Sequence, residues 1–417
     1  MTVTEYHTVI DYLRKLIRGS EFEGRVYAVG GCVRDEAMGS KSIKDIDLAV
    51  EIPNGGLLFA EWLRKKRLTK GRPVTFPRYG TAMLRLRAFP HIEIEIVQTR
   101  SKKYTGLEDP RPEEFFGEVS LDCRMRDLTI NALYKNISTG ELVDPTGMAL
   151  EDIRNRRLRT PDEPSKVFHD DPVRVLRAIR FSSTLGWPLP EEISRAIPDE
   201  IDGLKNVKVE RMRQEIEKIM AGPDPCGGIE RLETAGAMSY VFPELQKIFK
   251  DKDKDGTLKY HGLETLKNVI PLSTNPSVRF AALLHDLGKA YSPLITNKKG
   301  HTFQPDHDSK GAHIARRVMG RLRIDRGIVK DTVFLIAHHH FPDLNRITNH
   351  QAIKRLRKLQ RECRTQDRFA DLLALMQADG EAGGNTTLKL VNWLRSTSAK
   401  LAEEGKDGFA KPKEKSR

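Results

Sequence analysis

The pattern of hydrophobic residues changes once along the chain, near the string Asp144-Pro145-Thr146-Gly147. Before this string, helical stretches are interspersed with short β-rich runs at residues 26–29, 46–50, 81–86 and 92–97. After it the strand-like runs disappear, and apolar residues recur with helical spacing. The pattern therefore predicts an α/β domain over residues 1–150, followed by a chain that is entirely α-helical.

The helical part divides at a polar stretch around residues 250–258. We predict one helical block over 151–250, a second over 258–400, and a disordered tail over 401–417, where apolar residues are too few to form a core. The stretch DKDKDGT matches the first half of a calcium-binding loop, but position twelve, which should hold a glutamate, is Gly262. We therefore interpret it as a solvated linker.

Composition restricts the class of function. The 417 residues include 71 Lys and Arg against 58 Asp and Glu, a net charge of +13, which favours a polyanionic partner such as nucleic acid. No apolar run approaches the ~20 residues that span a bilayer, and the first residues do not resemble a secretory signal, so we expect a cytoplasmic protein with no membrane partner. The four cysteines lie far apart, which argues against disulfides and a cysteine zinc site.

Two carboxylates and a glycine pair lie close together in the string YAVGGCVRDEAMGSKSIKDIDLAV. A strand leads into Gly30 and Gly31, a helix carrying Arg34 follows, and the next strand brings Asp45 and Asp47. Carboxylates at i and i+2 of a strand project from one face, where they can bind Mg²⁺ together with a substrate triphosphate. The glycines let backbone amides approach phosphate oxygens closely. The sequence thus predicts a metal-dependent nucleotide site.

A further carboxylate, Glu95, alternates with Glu93 in the strand HIEIEIV. It is our candidate for a third catalytic carboxylate of the same site. The other interpretation is that these glutamates keep an edge strand soluble.

The string DDPVRVLRAIRF suggests how a base could be selected. Pro172 suits the first turn of a helix, and Asp171 and Arg174, at i and i+3, would share one face of it. A carboxylate beside a guanidinium presents an acceptor next to a donor, which matches cytosine and adenine and leaves uracil and guanine unpaired. The alternative is an ordinary surface ion pair worth ~0.3–0.5 kcal/mol.

Histidines and carboxylates form a second constellation. His285 and Asp286 end an apolar helical run, and His261, His307, the triplet 338–340 and Asp379 lie elsewhere in the second half. Such donors suit a divalent transition metal whose bound water becomes a nucleophile. Incidental core histidines are the alternative for any one of them.

In the first half, the strings GGCVRD, DIDLAV, YGTAML, EIVQTR, RDLTINAL, DPTG and DDPVRVLRAIRF, in this order, resemble the tRNA nucleotidyltransferase and poly(A) polymerase family of the DNA polymerase β superfamily. The resemblance implies an α/β nucleotidyltransferase head over 1–150 and an all-α neck and body over 151–250. It also implies addition of C, C and A to tRNA from CTP and ATP, with Asp45 and Asp47 as Mg²⁺ ligands. The nucleotide-binding residues that it implies, beside Gly30, Gly31 and Arg34, are Arg126, Asp127, Asn131, Asp171, Arg174, Arg177 and Arg180.

The block RFAALLHDLGK resembles the HD phosphohydrolase superfamily, so residues 258–400 are expected to form an all-α HD domain. That family's pattern matches His261, His285, Asp286 and Asp379 as metal ligands. It implies His307 and one of the triplet as further ligands, and we choose His339. The metal would be Ni²⁺, Mn²⁺ or Fe²⁺, and the substrate a phosphate or 2′,3′-cyclic phosphate on an RNA end.

Two alternatives remain. The same head motifs occur in poly(A) polymerases and in enzymes that add only CC or only A, and residues 101–119 contain no motif that separates these. From another class, the chain could be an HD phosphohydrolase with an inactive RNA-binding head, although such a head would not need Asp45, Asp47, Asp171 and Arg174 together. The sequence does not indicate an oligomeric state.

Overall fold

The computed structural model describes residues 1–103, 113–250, 257–296, 302–384 and 386–409. The chain forms two compact units. The first contains Met1–Ser182 and Trp187–Gly203, and the second contains residues 183–186 and the chain from Leu204 onward. The α/β architecture predicted for the head and the helical architecture predicted for the rest are both confirmed.

The first unit combines one large sheet with surrounding helices. Its strands are β1 Val26–Val29, β2 Ile46–Val50, β3 Val74–Phe76, β4 Thr81–Leu84, β5 Ile94–Gln98, β6 Arg100–Lys103, β7 Glu113–Phe116, β8 Tyr134–Asn136 and β9 Leu142–Val143. Its helices are α1 Val3–Ile17, α2 Gly31–Ala37, α3 Gly55–Lys65, α4 Val119–Asp122, α5 Ala149–Arg154, α6 Pro164–Asp170, α7 Val173–Leu185 and α8 Glu191–Glu200.

Seven of these strands form a sheet in the order β3-β4-β5-β2-β1-β8-β9. The central strand β2 is antiparallel to β1 and parallel to β5, and β6 pairs separately with β7. Helix α1 packs a stripe of buried apolar residues into the core beneath the sheet, as the spacing of the opening residues predicts. Thr2 caps that helix by accepting a hydrogen bond from the Glu5 amide at 3.1 Å.

Helix α3 approaches the sheet very closely at Gly56. A Cβ at this position would lie 2.2 Å from the carbonyl oxygen of Gly80 and 2.7 Å from that of Ile96. Because both atoms belong to the backbone, no side-chain movement could relieve such a contact. Glycine is therefore required where α3 packs against the middle of β5, the strand that carries Glu95.

The division of the head and neck differs from the predicted limit at residue 150. Helices α6 and α8, and α7 as far as Ser182, belong to the first compact unit. They are tied to the α/β part by ion pairs, including one between Arg177 on α7 and Asp127 at 2.7 Å and one between Lys102 on β6 and Asp170. The three-part functional division into head, neck and HD domain stays a prediction.

The second unit is helical apart from one short strand pair. Its helices are α9 Val209–Ala221, α10 Pro225–Thr234, α11 Met238–Val241, α12 Pro243–Lys250, α13 Thr257–Val269, α14 Pro276–Leu284, α15 His307–Arg321, α16 Arg326–His338, α17 Asn349–Cys363, α18 Gln366–Ala382 and α19 Thr386–Glu403. The pair is β10 Ile295–Thr296 with β11 Thr302–Phe303. A 3₁₀ helix, His285–Tyr291, directly follows α14.

Helix α14 is the centre of this unit, because its residues from Ser277 to Leu284 are all buried. Even Arg279 is buried, and its Nη1 donates hydrogen bonds to the carbonyls of Met220 and Gly222 at 2.8 and 2.9 Å. The run RFAALL thus lies in the core, and the next residue, His285, is buried as well.

The predicted disordered tail of residues 401–417 is wrong for its first part. Helix α19 continues to Glu403, and Leu401 is buried. Beyond it, the Gly408 amide donates to Gln360 Oε1 at 2.8 Å, and the Phe409 ring packs edge-on against Phe369. Residues 410–417 and the predicted linker over 251–256 lie outside the described residues. Among the helices of the described part of the chain, none is long and apolar enough to cross a membrane.

Candidate functional site

The first candidate site lies on one face of the large sheet. Asp47 of β2 and Glu95 of β5 are direct partners in the parallel register, so their side chains project from the same face. Asp45 comes two residues before Asp47, immediately ahead of β2. The structure thus brings together the three carboxylates that the sequence predicts.

Their proximity alters their protonation. Burial and the neighbouring carboxylate of Glu95 raise the pKa of Asp47 to about 6, and burial also raises the pKa of Glu95. Asp45 repels both groups, while Arg126 attracts them. Carboxylates that repel one another in this way gain from a shared divalent cation, and hard oxygen donors are what Mg²⁺ prefers.

The alternative explanation for Glu95, solubility of an edge strand, is wrong. Strand β5 is not an edge, because it pairs with β4 on one side and β2 on the other. Glu93 lies two residues away and forms an exposed ion pair with Arg85 at 3.1 Å. The two glutamates therefore differ: one belongs to the carboxylate cluster, and the other to the surface.

The glycine pair lies beside the carboxylates. Gly30 has a φ of 74°, in the region that favours glycine, and a Cβ there would be 3.7 Å from Asp47 Oδ2. Gly31 begins helix α2, which carries Arg34. The backbone of this turn therefore comes within contact distance of the carboxylate of Asp47.

Three arginines surround one aromatic ring near this site. The guanidinium carbons of Arg34, Arg177 and Arg180 lie 5.1, 5.7 and 3.8 Å from the centroid of the Phe181 ring. Cations are attracted to the face of such a ring, so Phe181 gathers charges that would otherwise repel one another. A cluster of this kind suits a triphosphate. Sequence analysis missed Phe181, although it ends the string that contains Arg177 and Arg180.

The motif RDLTINAL connects these arginines through hydrogen bonds. Arg34 Nη1 donates to Asn131 Oδ1 at 2.6 Å, and Asn131 Nδ2 donates to Asp127 Oδ1 at 2.9 Å. The other oxygen of Asp127 accepts from Arg177 Nε at 2.7 Å. Although burial opposes it, the charge of Arg177 and the amide of Asn131 hold the pKa of Asp127 well below its usual range.

Arg126, from the same motif, is held by a residue that the sequence analysis missed. Its Nη2 lies 2.6 Å from Oδ2 of Asp122, which is fully buried. Tyr134 also donates its hydroxyl to Asp122, and the Arg100 amide donates to Oδ1 at 2.8 Å. The spacing of four residues between Asp122 and Arg126 was the only available signal.

The predicted base-selecting pair has a different geometry from the one expected. Helix α6 ends at Asp170, and Asp171 follows it in extended backbone with a φ of −153°, ahead of α7. The prediction that Asp171 and Arg174 share a face of one helix is therefore wrong, because the helical backbone is interrupted between Asp170 and Val173. Arg174 is held instead by the main chain, since its guanidinium donates to the carbonyls of Val167 and Met125. Burial lowers the pKa of Arg174, and the carboxylate of Asp171 opposes this.

The second candidate site lies inside the second unit. It gathers His261 of α13, His285 and Asp286 after α14, and Asp379 of α18. Nε2 of His261 is 2.9 Å from Asp379 Oδ1, 3.6 Å from Asp286 Oδ2 and 3.3 Å from His285 Nε2. His285 Nε2 is 3.4 Å from Asp379 Oδ1. The four residues that the sequence predicts as metal ligands thus converge.

His307 and His339 extend this cluster. The ring centroids of His285 and His339 are 5.2 Å apart, and those of His339 and His307 are 6.1 Å apart. Of the triplet, His339 is the buried member, as predicted. His338 instead stacks on Phe334 with ring centroids 4.2 Å apart.

Three of these histidines are oriented by the main chain. Nδ1 donates to a carbonyl three residues earlier in each case: Ala282 for His285, Gln304 for His307 and Ile336 for His339, at 2.9, 2.7 and 2.6 Å. Because a carbonyl only accepts, Nδ1 carries a proton in each ring, and Nε2 is the nitrogen that faces the cluster. Metal-binding histidines are commonly fixed in this way.

Unpaired buried atoms indicate that a cation fits here. Within the described residues, His339 Nε2 and Asp286 Oδ1 are buried and have no hydrogen-bond partner. Burial lowers the pKa of His285, but Asp286 and Asp379 raise it overall to about 9, whereas burial and the neighbouring histidines lower that of His339 to about 3. Carboxylates that stabilise a charged imidazole would equally stabilise a metal ion.

Asp308, His340 and Lys289 were missed by the sequence analysis. Asp308 Oδ1 is 2.8 Å from His307 Nε2 and 3.2 Å from His340 Nδ1, and together with His339 they could hold a cation. Lys289 Nζ contacts Asp286 Oδ2 at 2.6 Å. His307 and Asp308 form a second His-Asp doublet in the sequence, which was the available signal.

Three family models match the chain. They are described as "Poly A polymerase head domain" at residues 26–159, "Probable RNA and SrmB- binding site of polymerase A" at 188–249 and "HD domain" at 260–375. Both candidate sites therefore lie within, or directly beside, segments that match known domains.

Similar proteins have names that agree with these models. The chain is 33% identical to the multifunctional CCA protein of Shewanella denitrificans, over 76% of this chain and 74% of that protein. It is 30% identical to the protein of the same name from Legionella pneumophila strain Lens, over 87% of this chain and 86% of that protein. Among solved structures, the Bacillus stearothermophilus CCA-adding enzyme in complex with CTP matches with a TM-score of 0.63 and 22% identity, covering 96% of this chain and 84% of that one. At this identity the structure supports the fold alone.

Proposed function

This chain belongs to the family of CCA-adding tRNA nucleotidyltransferases, and from that premise we propose that it adds C, C and A to the 3′ end of tRNA from CTP and ATP, without a nucleic-acid template. The observation that carries the proposal is the register of β2 and β5, which aligns Asp47 with Glu95 on one face. We propose that the reaction takes place in the cytoplasm, where tRNA and both triphosphates are present.

In this proposal, Asp45, Asp47 and Glu95 hold Mg²⁺, which fits their mutual repulsion and their oxygen donors. Bound there, Mg²⁺ would favour deprotonation of the attacking 3′-hydroxyl and neutralise the departing pyrophosphate. Arg34 and Arg177 bind the triphosphate. Asn131 holds Arg34 in place, and Asp127 holds Arg177. No covalent intermediate is required, because positioning and charge neutralisation suffice for phosphoryl transfer.

Arg126 and Arg180 complete the proposed nucleotide site. Arg126 is fixed by Asp122 and attracts both Asp47 and Glu95, which keeps a positive charge beside the carboxylates. Arg180 lies closest to the Phe181 ring. Their charges would bind triphosphate oxygens and leave the ribose and base free to be read by other residues.

Base selection is assigned to Asp171 and Arg174. The guanidinium of Arg174 is held by two main-chain carbonyls, so its remaining N–H groups have a fixed direction. With the carboxylate of Asp171 nearby, the pair offers a donor and an acceptor to the incoming base. Cytosine and adenine satisfy both groups, whereas uracil and guanine would leave one unpaired.

The buried histidine cluster supports a second activity. We assign to the HD domain the hydrolysis of phosphate or 2′,3′-cyclic phosphate on RNA ends, with Ni²⁺, Mn²⁺ or Fe²⁺ as the metal. The supporting observation is that His285, His307 and His339 all donate from Nδ1 to the main chain, which leaves Nε2 of each ring as the atom that a metal ion would bind. A metal bound there would supply a hydroxide-like water as nucleophile. Opening a 2′,3′-cyclic phosphate with one water gives a phosphomonoester, and hydrolysis of that ester with a second water would release phosphate and leave the free 3′-hydroxyl that nucleotide addition needs.

The first activity is tested with tRNA that ends before its CCA sequence. The purified chain and Mg²⁺ are given CTP alone, ATP alone or both, and product ends are sequenced. A stop at CCA only with both nucleotides is the expected result. A long A tail, or a stop at CC or a single A, would instead assign the chain to poly(A) polymerases or partial enzymes.

Two variants connect this activity to the carboxylates. Removing a metal ligand costs several kcal/mol of transition-state stabilisation, so Asp47→Ala should lower the rate by about 1000-fold or more. Glu93→Ala is the matched control, because Glu93 is two residues from Glu95 but paired on the surface with Arg85. Equal rates for the two variants would contradict the metal assignment.

The second activity is tested by release of phosphate from a 2′,3′-cyclic phosphate RNA end. His285→Ala should abolish it and leave nucleotide addition intact, whereas His338→Ala should retain both, because that side chain stacks on Phe334 away from the cluster. Loss of both activities in His285→Ala would argue against two independent sites. A wild-type chain that releases phosphate but adds no nucleotide would favour the inactive-head alternative.

A further inference from the structure

Helix α17 has an unusually basic exposed face. It contains five Lys or Arg residues and only one carboxylate, Glu362. Lys354, Lys358 and Arg361 are exposed and lie at i, i+4 and i+7, on the side opposite the buried stripe that includes Leu356. At 1.5 Å per residue, successive members are about 4.5 to 6 Å apart along the axis. We refer to Lys354, Lys358 and Arg361 as the α17 face.

These charges are poorly neutralised. Among the described residues, Lys354 and Arg361 form no ion pair, and Lys358 reaches Glu362 only at 3.8 Å. Arg355 and Arg364 at the margins of the face are also exposed. Surface helices usually intersperse both signs, and a row of like charges destabilises a helix slightly. A row of three cations with only one carboxylate within ion-pair distance is therefore better suited to an external polyanion than to internal stability.

The α17 face is linked through Glu362 to the segment that carries the histidine triplet. Glu362 Oε2 is 3.5 Å from Nε2 of His338, the residue directly before the buried His339. Lys358 contacts the other oxygen of the same glutamate. On the far side of the triplet, half-exposed His340 contacts Asp308 of the cluster. The basic helix thus runs up to the segment that holds the cluster's buried and exposed histidines.

We propose that the α17 face binds the ribose-phosphate backbone of the RNA whose end is processed at the histidine cluster. This inference rests on the phosphohydrolase function proposed above. The row of separate charges suits a polymer with regularly spaced phosphates better than a single phosphate group, which would need convergent donors. The face contributes affinity and direction without reading sequence, because it offers cations only to phosphates.

The test uses the full chain with Lys354, Lys358 and Arg361 all changed to Gln. Hydrolysis is measured on an RNA that ends in a 2′,3′-cyclic phosphate and on 2′,3′-cyclic AMP, which has the same reacting group but no further backbone phosphates. For the RNA, kcat/KM should fall at least tenfold. The slope of log kcat/KM against log salt concentration should become less steep by about 2 to 3, because each of the three lost phosphate contacts removes about 0.7 to 0.9 from it. The kcat/KM for 2′,3′-cyclic AMP should not change.

Control and contrary outcomes are distinct. Changing the exposed Lys389 and Lys400 of α19 to Gln removes two cations from the same unit and should change neither substrate's rate. Unchanged RNA hydrolysis in the triple variant, or an equal loss on both substrates, overturns the inference. If the wild-type chain hydrolyses neither substrate, the phosphohydrolase proposal fails. The salt slope of RNA binding then decides this inference: flattening in the triple variant supports it, and an unchanged slope overturns it.

Discussion

The buried carboxylate of Asp122 offers the sharpest test of how the head is held together. Asp122 accepts four hydrogen bonds: two from the Arg126 guanidinium, one from the Tyr134 hydroxyl and one from the Arg100 amide. In Asp122→Asn, the remaining oxygen can serve the amide of Arg100, but the new NH₂ group faces a guanidinium that also donates. Arg126 then keeps its charge in a site where only 17% of its side chain is exposed.

Breaking one side of a buried ion pair typically costs about 3–5 kcal/mol, because the remaining charge is neither hydrated nor paired. For a unit of this size each kcal/mol lowers Tm by about 2–4 °C, so Asp122→Asn should lower the Tm of the first unit by about 6–20 °C. Differential scanning calorimetry of the full chain measures this, with urea unfolding as a second method.

Asp11→Asn is the matched control, since Asp11 pairs with Arg14 at 2.7 Å on the surface, with 57% and 38% of the two side chains exposed. It should change stability by less than about 0.5 kcal/mol. A loss below about 1 kcal/mol for Asp122→Asn would refute the reasoning. An equally large loss of stability from Asp122→Asn in an Arg126→Met background would also refute it, because that background lacks the Arg126 guanidinium whose burial without a partner is the stated cause.

Three further predictions follow from the sites. Arg174→Ala should lose discrimination against UTP, measured as the ratio of kcat/KM for CTP and UTP; an unchanged ratio would contradict the base-selecting role. Because the pKa of Asp127 is held below its usual range, its contribution to stability is complete above about pH 4 and is lost as the pH falls further, so urea unfolding at pH 6 and pH 3 should differ more for the wild type than for Asp127→Asn. After treatment with a chelator, Mn²⁺ at 100 times its Kd should stabilise the second unit by about 2.7 kcal/mol, and His285→Ala should remove that gain.

Site residues that lie close together in the sequence were easier to predict than site residues that only the tertiary fold brings together. Asp45 and Asp47 could be predicted because alternation along one strand fixes their common face. Glu95 could only be suspected, since its place beside Asp47 depends on a parallel pairing of β2 with β5 across an intervening helix and two strands. Asp122 carried no signal of its own, because its role arises from burial against Arg126 and Tyr134.

Errors arose where local geometry overruled a regular pattern. Pro172 suggested a helix that would include Asp171, but the backbone before a proline favours extended conformations, and Asp171 adopts one. The tail from residue 401 contains few apolar residues, yet Leu401 is buried and the partly buried Phe409 packs against the buried Phe369. Composition averages over a segment and therefore cannot detect one or two anchoring side chains.

The way in which His285, His307 and His339 are oriented bears on how this cluster can evolve. In each case the proton of Nδ1 goes to the peptide group three positions back, so the ring is oriented by the course of the chain and not by a neighbouring side chain. No substitution of Ala282, Gln304 or Ile336 that preserves the backbone can delete that acceptor. Related chains can thus change the side chains at these three positions without changing which nitrogen faces inward, and the cluster's donor set can persist while those positions diverge.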